Sequence, residues 1–135
     1  MARLKRTKNT ISFTDVDSTI TISTHSLGSI NEYFKLELLK RNSYNFGIYF
    51  RNNKEISDLV NLFAVKKYQR SISVRTPNEL FNIIMNKTDD DIYKFSVDKV
   101  IIASSGRSKI GISIKLTKDQ IDEIYYLLYK SFYKA

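Results

Sequence analysis

The sequence predicts an α+β fold, a twisted antiparallel sheet with amphipathic helices on one face. Two observations predict it: several stretches alternate apolar and polar residues with a period of two, and three others place apolar residues at helical spacing behind start signals. With 135 residues, 42% of them hydrophobic, the chain can close one core. Residues 9–135 are therefore expected to form a single domain behind a basic flexible arm at residues 1–8.

The strands come first. Thr19-Ile20-Thr21-Ile22-Ser23 alternates strictly, with Asp15-Val16-Asp17 as the turn before it. Phe34, Leu36 and Leu38 share one parity while Tyr33, Lys35 and Glu37 share the other, and Phe46, Ile48 and Phe50 repeat the pattern beyond a hairpin loop at Asn42-Ser43-Tyr44-Asn45. A short strand is expected at Ser71 to Arg75. The run from Tyr93 to Ser104 changes parity between Val97 and Val100, which predicts a bulge or bend near Asp98 and Lys99. Ile110, Ile112, Ile114 and Leu116 then alternate with Lys109, Gly111, Ser113 and Lys115.

Three helices are expected. One starts at Asn52 or Asn53 and buries Ile56, Leu59, Val60 and Phe63. Thr76-Pro77-Asn78-Glu79 has a hydroxyl cap, a proline at the first helical position and a glutamate three residues after the cap, so a helix is predicted to run to about Asn86. Thr117-Lys118-Asp119-Gln120 repeats the capping box and opens a longer helix with Ile121, Ile124, Tyr125, Leu128 and Phe132 on one face. Ile56 to Phe63 and Ile121 to Leu128 share their apolar spacing, each behind a strand and a polar loop, so either a strand, strand, helix unit occurs twice, about 64 residues apart, or the match is the coincidence that any hairpin followed by an amphipathic helix produces. Tyr126, Tyr129 and Tyr133 leave the last helix oily on more than one side; they either complete a homodimer interface or extend the core.

Charge and composition narrow the function. Lys and Arg number 22 against 14 Asp and Glu, a net charge of +8, which points to a negatively charged partner. The absence of cysteine removes disulfides, thiolate zinc sites and thiol nucleophiles, and the single histidine, His25, sits in no nucleophile motif. Asp15 with Asp17, and Asp89-Asp90-Asp91, read as solvated turn and linker residues rather than metal ligands. No catalytic set, metal or cofactor is expected. No apolar run approaches the roughly twenty residues of a membrane span, and the basic start lacks the apolar segment of a signal peptide, so an intracellular protein without membrane contact is expected.

The polar strand faces collect Tyr33, Lys35, Tyr49, Arg51, Ser73, Arg75, Lys109, Ser113 and Lys115, with few carboxylates. Cations on an uncovered sheet face can meet phosphates, and tyrosine rings can stack on unpaired bases. Arg3, Lys5, Arg6 and Lys8 in the arm, and Arg107 in the loop Ser104-Ser105-Gly106-Arg107-Ser108-Lys109, could extend that contact; the loop is no P-loop, since the strand-to-helix geometry is missing.

From that loop onward, Gly106-Arg107-Ser108-Lys109, Gly111-Ile112-Ser113 and Leu116-Thr117-Lys118-Asp119-Gln120-Ile121 resemble the end of the core domain of the transcriptional coactivator family called positive cofactor four, whose architecture the Whirly proteins share. The resemblance implies a curved antiparallel sheet followed by a helix, pairing with a second copy, and binding of single-stranded DNA by the sheets. It carries Arg107, Lys109, Ser113 and Lys115 over as binding residues, and covers about 30 residues. The family's unit is smaller than this chain, and the predicted helix from Thr76 to Asn86 has no counterpart in its four-strand-plus-helix plan.

The expected function is non-catalytic binding of nucleic acid, single-stranded DNA first and RNA next. The alternative is a protein-interaction module, such as an inhibitor or accessory protein of a virus, plasmid or other mobile element that docks on an acidic protein.

Overall fold

The computed structural model describes residues 3–7, 9–26, 32–51, 53–64, 69–89, 91–103 and 106–132. Its first half is an antiparallel meander in the order β1 (Arg3–Arg6), β2 (Thr10–Asp15), β3 (Ser18–Ser26), β4 (Glu32–Lys40) and β5 (Tyr44–Phe50). The ladder aligns Ile11, Ile22, Leu36 and Ile48 in one row across four strands, and Phe13, Ile20, Leu38 and Phe46 in the next. All but Phe46 are fully buried. Because side chains alternate between faces, this row of burial sends Thr21, Lys35, Glu37 and Tyr49 to the opposite side.

The second half is a four-stranded antiparallel meander of β6 (Gln69–Arg75), β7 (Glu79–Asp89), β8 (Ile92–Ala103) and β9 (Gly106–Thr117). Its buried row is Ile83, Val97 and Ile112, with Ile72 partly buried at the edge. Here the helix expected from Thr76 to Asn86 is corrected to strand β7. Thr76 and Glu79 form the tight turn between β6 and β7, the Thr76 N–H donating to the Glu79 carbonyl at 3.0 Å. The Glu79 carboxylate reaches Lys99 Nζ at 2.7 Å instead of folding back as a cap. Beyond the turn, Phe81, Ile83 and Met85 are buried in alternation with Asn82, Ile84 and Asn86, the period of a strand. Local capping chemistry was present in the sequence, and pairing on both sides of β7 overrode it.

Two further expectations change. Arg3–Arg6 is not an unpaired arm but the edge strand β1, paired with β2 from Arg3 opposite Thr14 to Arg6 opposite Ile11; Lys8 lies outside the described residues. No bulge occurs at Asp98 and Lys99, since β8 runs in continuous register past both neighbours. The ladder irregularity falls instead between Lys87 and Asp89 of β7. The parity change near Val100 marks where the β8–β9 hairpin leaves the core: Ile101 is exposed and Val100 half-buried.

Helices α1 (Asn53–Ala64) and α2 (Lys118–Phe132) each follow a meander and pack on one another. Helix α1 buries Ile56, Leu59, Val60, Leu62 and Phe63, and α2 buries Ile121, Ile124, Leu127 and Leu128. Phe63 meets Phe95 of β8 at 5.4 Å between ring centroids, and Phe46 of β5 stacks on Phe81 of β7 at 6.1 Å, so both sheets and both helices share one apolar cluster. The capping box at α2 is reciprocal: the Gln120 N–H donates to Thr117 Oγ1 at 3.2 Å, and the Thr117 N–H donates to Gln120 Oε1 at 2.9 Å. The two meanders have five and four strands, and the arrangement does not establish a duplicated strand, strand, helix unit.

The Asp15-Val16-Asp17 turn carries a cost. Val16 has φ 51° and is 90% exposed, so a β-branched residue sits in the left-handed region with no packing to offset it. Such strain is worth about 1–3 kcal/mol, against roughly 0.4–1 kcal/mol of added unfolded-state entropy for glycine. Val16→Gly is expected to raise stability by about 1 kcal/mol, read as a higher urea midpoint at unchanged m-value.

Candidate nucleic-acid interface

The structure divides the predicted site between two outer sheet faces. On the first, β4 contributes Tyr33 and Lys35, and β5 contributes Tyr49, with Lys35 directly opposite Tyr49 in the ladder and Arg51 just beyond the strand end. These four residues come together. Lys35 Nζ lies 5.2 Å and the Arg51 guanidinium carbon 5.0 Å from the centroid of the Tyr49 ring, and the Tyr33 ring is tilted against it at 5.8 Å. Both cations are within cation–π range. Tyr49 keeps 42% of its surface exposed.

The local backbone explains the arrangement. Gly47 stands in the row next to Tyr49, opposite Glu37, and a Cβ there would come within 3.4 Å of Lys35 Cε. Its absence leaves a shallow depression of about 330 Å³ on this face, lined among others by Thr21, Lys35, Glu37 and Asn45. Arg51 is held at the start of α1, where its backbone N–H donates to Glu55 Oε1 at 3.3 Å. Lys5 of β1 is exposed and lies in the same row of register as Ser12, Thr21, Glu37 and Gly47. Arg3 and Arg6 occupy the two ends of that edge strand.

On the second sheet, Ser73, Arg75, Lys109, Ser113 and Lys115 all fall on the face opposite the buried row, and Arg107 shares their register parity. Arg75 also meets the first cluster: a cleft of about 400 Å³ between β5 and β6 is lined by Tyr49, Arg51, Glu55, Arg75, Thr76 and Glu79, among others. Ser73 donates to Asn82 Oδ1 at 3.1 Å. The predicted residues therefore form a tyrosine-bearing cluster on one sheet and a dispersed basic face on the other, joined at this cleft.

Carboxylates are more prominent than the strand pattern suggested. Glu37 pairs with Lys35 at 3.3 Å and Asp98 pairs with Lys109 at 3.4 Å. Gly111 makes room for Asp98, whose Oδ1 would lie 2.4 Å from a Cβ at that position. Sequence reading also missed Lys94, directly opposite Lys115 in the ladder, and Lys40 at the end of β4. The parity of Lys94 with Ser96, against buried Tyr93, Phe95 and Val97, was the available signal for the first.

Among the described residues, no three His, Cys, Asp or Glu side chains gather as a metal site, and no helix is long and apolar enough to cross a membrane. Comparison with known proteins finds no matching family, no matching characterised protein and no matching solved structure.

A hydrogen bond with Tyr49, and then one with the Glu37 carboxylate, raise the Lys35 ammonium above its ordinary value of 10.5. Raised basicity means that Lys35 stabilises the fold fully below 10.5, and that this contribution is lost as pH rises through the folded-state value. NMR titration of the Lys35 Cε resonance is expected to show a midpoint above 10.5 that moves down in Tyr49→Phe and in Glu37→Gln.

Proposed function

We propose that this chain binds single-stranded nucleic acid, DNA in preference to RNA, through the outer sheet faces and without catalysing a reaction. The observation that carries the reading is the exposed Tyr49 ring bracketed by Lys35 and Arg51 beside Tyr33. A phenol ring on an uncovered sheet offers an unpaired base a stacking surface, and cations a few ångströms away can take the phosphates on either side of that base. A paired base cannot present its face in this way, so stacking favours single strands over duplexes. The four strands β6 to β9 followed by α2 also follow the strand-and-helix plan that the resemblance to positive cofactor four implies. Correcting the segment from Thr76 to Asn86 to a strand removes one departure from that plan, while β1 to β5 and α1 remain outside the family's smaller unit.

Fluorescence-anisotropy titration with single-stranded DNA, duplex DNA and RNA at two salt concentrations tests the reading. Binding should be tightest to single-stranded DNA and should fall steeply with salt. No binding at low salt would overturn it and leave docking on an acidic protein as the better account. Intact oligonucleotides after incubation with magnesium or manganese are expected, and cleavage would contradict the non-catalytic assignment.

Tyr49→Ala should cost about 1–3 kcal/mol of single-strand affinity, with little change for duplex. The combined Lys35→Ala, Arg51→Ala and Lys115→Ala variant should bind more weakly and lower the steepness of the salt dependence by about 2, at roughly 0.7 per lost phosphate contact. Its circular dichroism spectrum should match that of the parent chain.

A further inference from the structure

Lys94 and Lys115 are directly opposite one another on β8 and β9, on the outer face of the second sheet, and both are exposed. Like charges at directly opposed positions destabilise an antiparallel pair. No carboxylate among the described residues pairs with either lysine, and the neighbour of Lys94 on β7 is neutral Asn86. Folding alone gives no reason for this juxtaposition. The next row of the ladder carries two hydroxyls, Ser96 opposite Ser113.

A third lysine arrives from the other sheet. Lys40, with Asp17 and Ser18, forms one wall of an open groove of about 510 Å³ whose other wall includes Lys94, Ser96, Asp98 and Ser113. The two walls are tied together, because the Tyr44 hydroxyl donates to the Gly111 carbonyl of edge strand β9. Of the two carboxylates in the groove, Asp98 is paired with Lys109 at 3.4 Å, while Asp17 accepts a bond from the neutral Ser18 hydroxyl at 3.2 Å and keeps its charge, against the two lysines Lys40 and Lys94 of the lining. The Lys40 and Lys94 ammonium groups and the Ser96 and Ser113 hydroxyls thus line a space that is open to solvent and large enough for phosphate groups, and Lys115 stands directly opposite Lys94 in the ladder.

We propose that this groove is a second phosphate-binding tract, which takes the backbone of the nucleic-acid chain whose bases stack at Tyr49. It rests on the proposed function, and it adds Lys40 and Lys94 as binding residues. A phosphate between Lys94 and Lys115 turns their mutual repulsion into two attractions. The opposed pair is therefore arranged for a bound anion rather than for the free protein.

The test uses the full chain and the double variant Lys94→Gln, Lys115→Gln. Three results are expected. The variant's melting temperature equals or exceeds that of the parent chain, because the repulsion is gone. Affinity for a single strand of about 20 nucleotides falls roughly tenfold and its salt dependence becomes shallower by about 1.4, while a strand of about five nucleotides, long enough for the Tyr49 cluster alone, loses nothing. Inorganic pyrophosphate shifts the amide resonances of Lys94, Ser96, Ser113 and Lys115 in the parent chain only.

A lower melting temperature would make the lysines structural and overturn the tract. Equal losses for long and short strands, or an unchanged salt dependence, would do the same. If the parent chain binds no oligonucleotide but pyrophosphate still shifts these amides, the nucleic-acid reading fails and the groove takes free phosphate compounds. If oligonucleotides bind and the double variant matches the parent, the tract fails while the Tyr49 reading stands.

Discussion

The row of Ile11, Ile22, Leu36 and Ile48 is the constraint on which the candidate interface depends. These four residues are buried to within about 1% and stand opposite one another across four strands, so the register of the first sheet is held by its core. Side chains alternate with a period of two, and a slip of one residue would turn Lys35 and Tyr49 into the core and Leu36 and Ile48 out to water. The positions of the functional candidates are thus a consequence of hydrophobic burial. Ile83, Val97 and Ile112 impose the same condition on the second sheet and place Lys94, Lys109 and Lys115 on its outer face.

The shared core also determines what remains uncovered. Phe46 stacking on Phe81 and Phe63 meeting Phe95 bring the inner faces and α1 into one apolar cluster. With most apolar side chains committed there, the outer faces are mainly Thr, Ser, Lys, Glu and Tyr, with apolar Leu39, Leu80 and Ile84 dispersed among them. The same packing sets edge strands β5 and β6 on either side of the cleft that brings Arg75 to Tyr49 and Arg51. A ligand lying along this cleft would touch both sheets, although neither sheet alone holds the full set of candidate residues.

Much of this was legible in the sequence wherever a strand has one wet and one dry face. The alternations around Ile20, Leu36, Ile48 and Ile112 correctly assigned Tyr33, Lys35, Tyr49, Lys109 and Lys115 to the outer side. Helix α2 was legible through its capping box, whose two hydrogen bonds form as the residue types require. The failure at Thr76 to Asn86 has a specific cause: a hydroxyl, a proline and a glutamate suit a tight turn as well as a helix start. Only the non-local pairing of Phe81, Ile83 and Met85 with β6 and β8 decides between them. Cross-strand neighbours were also beyond reach. The opposition of Lys94 to Lys115 and the pairing of Asp98 with Lys109 depend on a register that no single strand encodes.

The register separates the outer cations into two kinds, and the difference bears on how binding free energy would be divided. Lys35 and Lys109 each hold a carboxylate, so a phosphate approaching either one replaces an existing partner, and the net gain is small. Lys94 and Lys115 face each other with no such partner among the described residues, so a phosphate there removes a repulsion as well as adding an attraction. Affinity should therefore concentrate on the second sheet. The first cluster adds the Arg51 guanidinium and holds the aromatic surface: Lys35 and Arg51 lie against the Tyr49 ring in the free protein. A base binding as proposed would compete with them for that ring, and a cation it displaced would become available to the phosphate that arrives with the base. A duplex offers the phosphate without the base, so it would gain the charge contacts and forgo the stacking. On this division of labour, the proposed function would have the second sheet set how tightly an anionic strand is held, and the first set whether its bases must be unpaired.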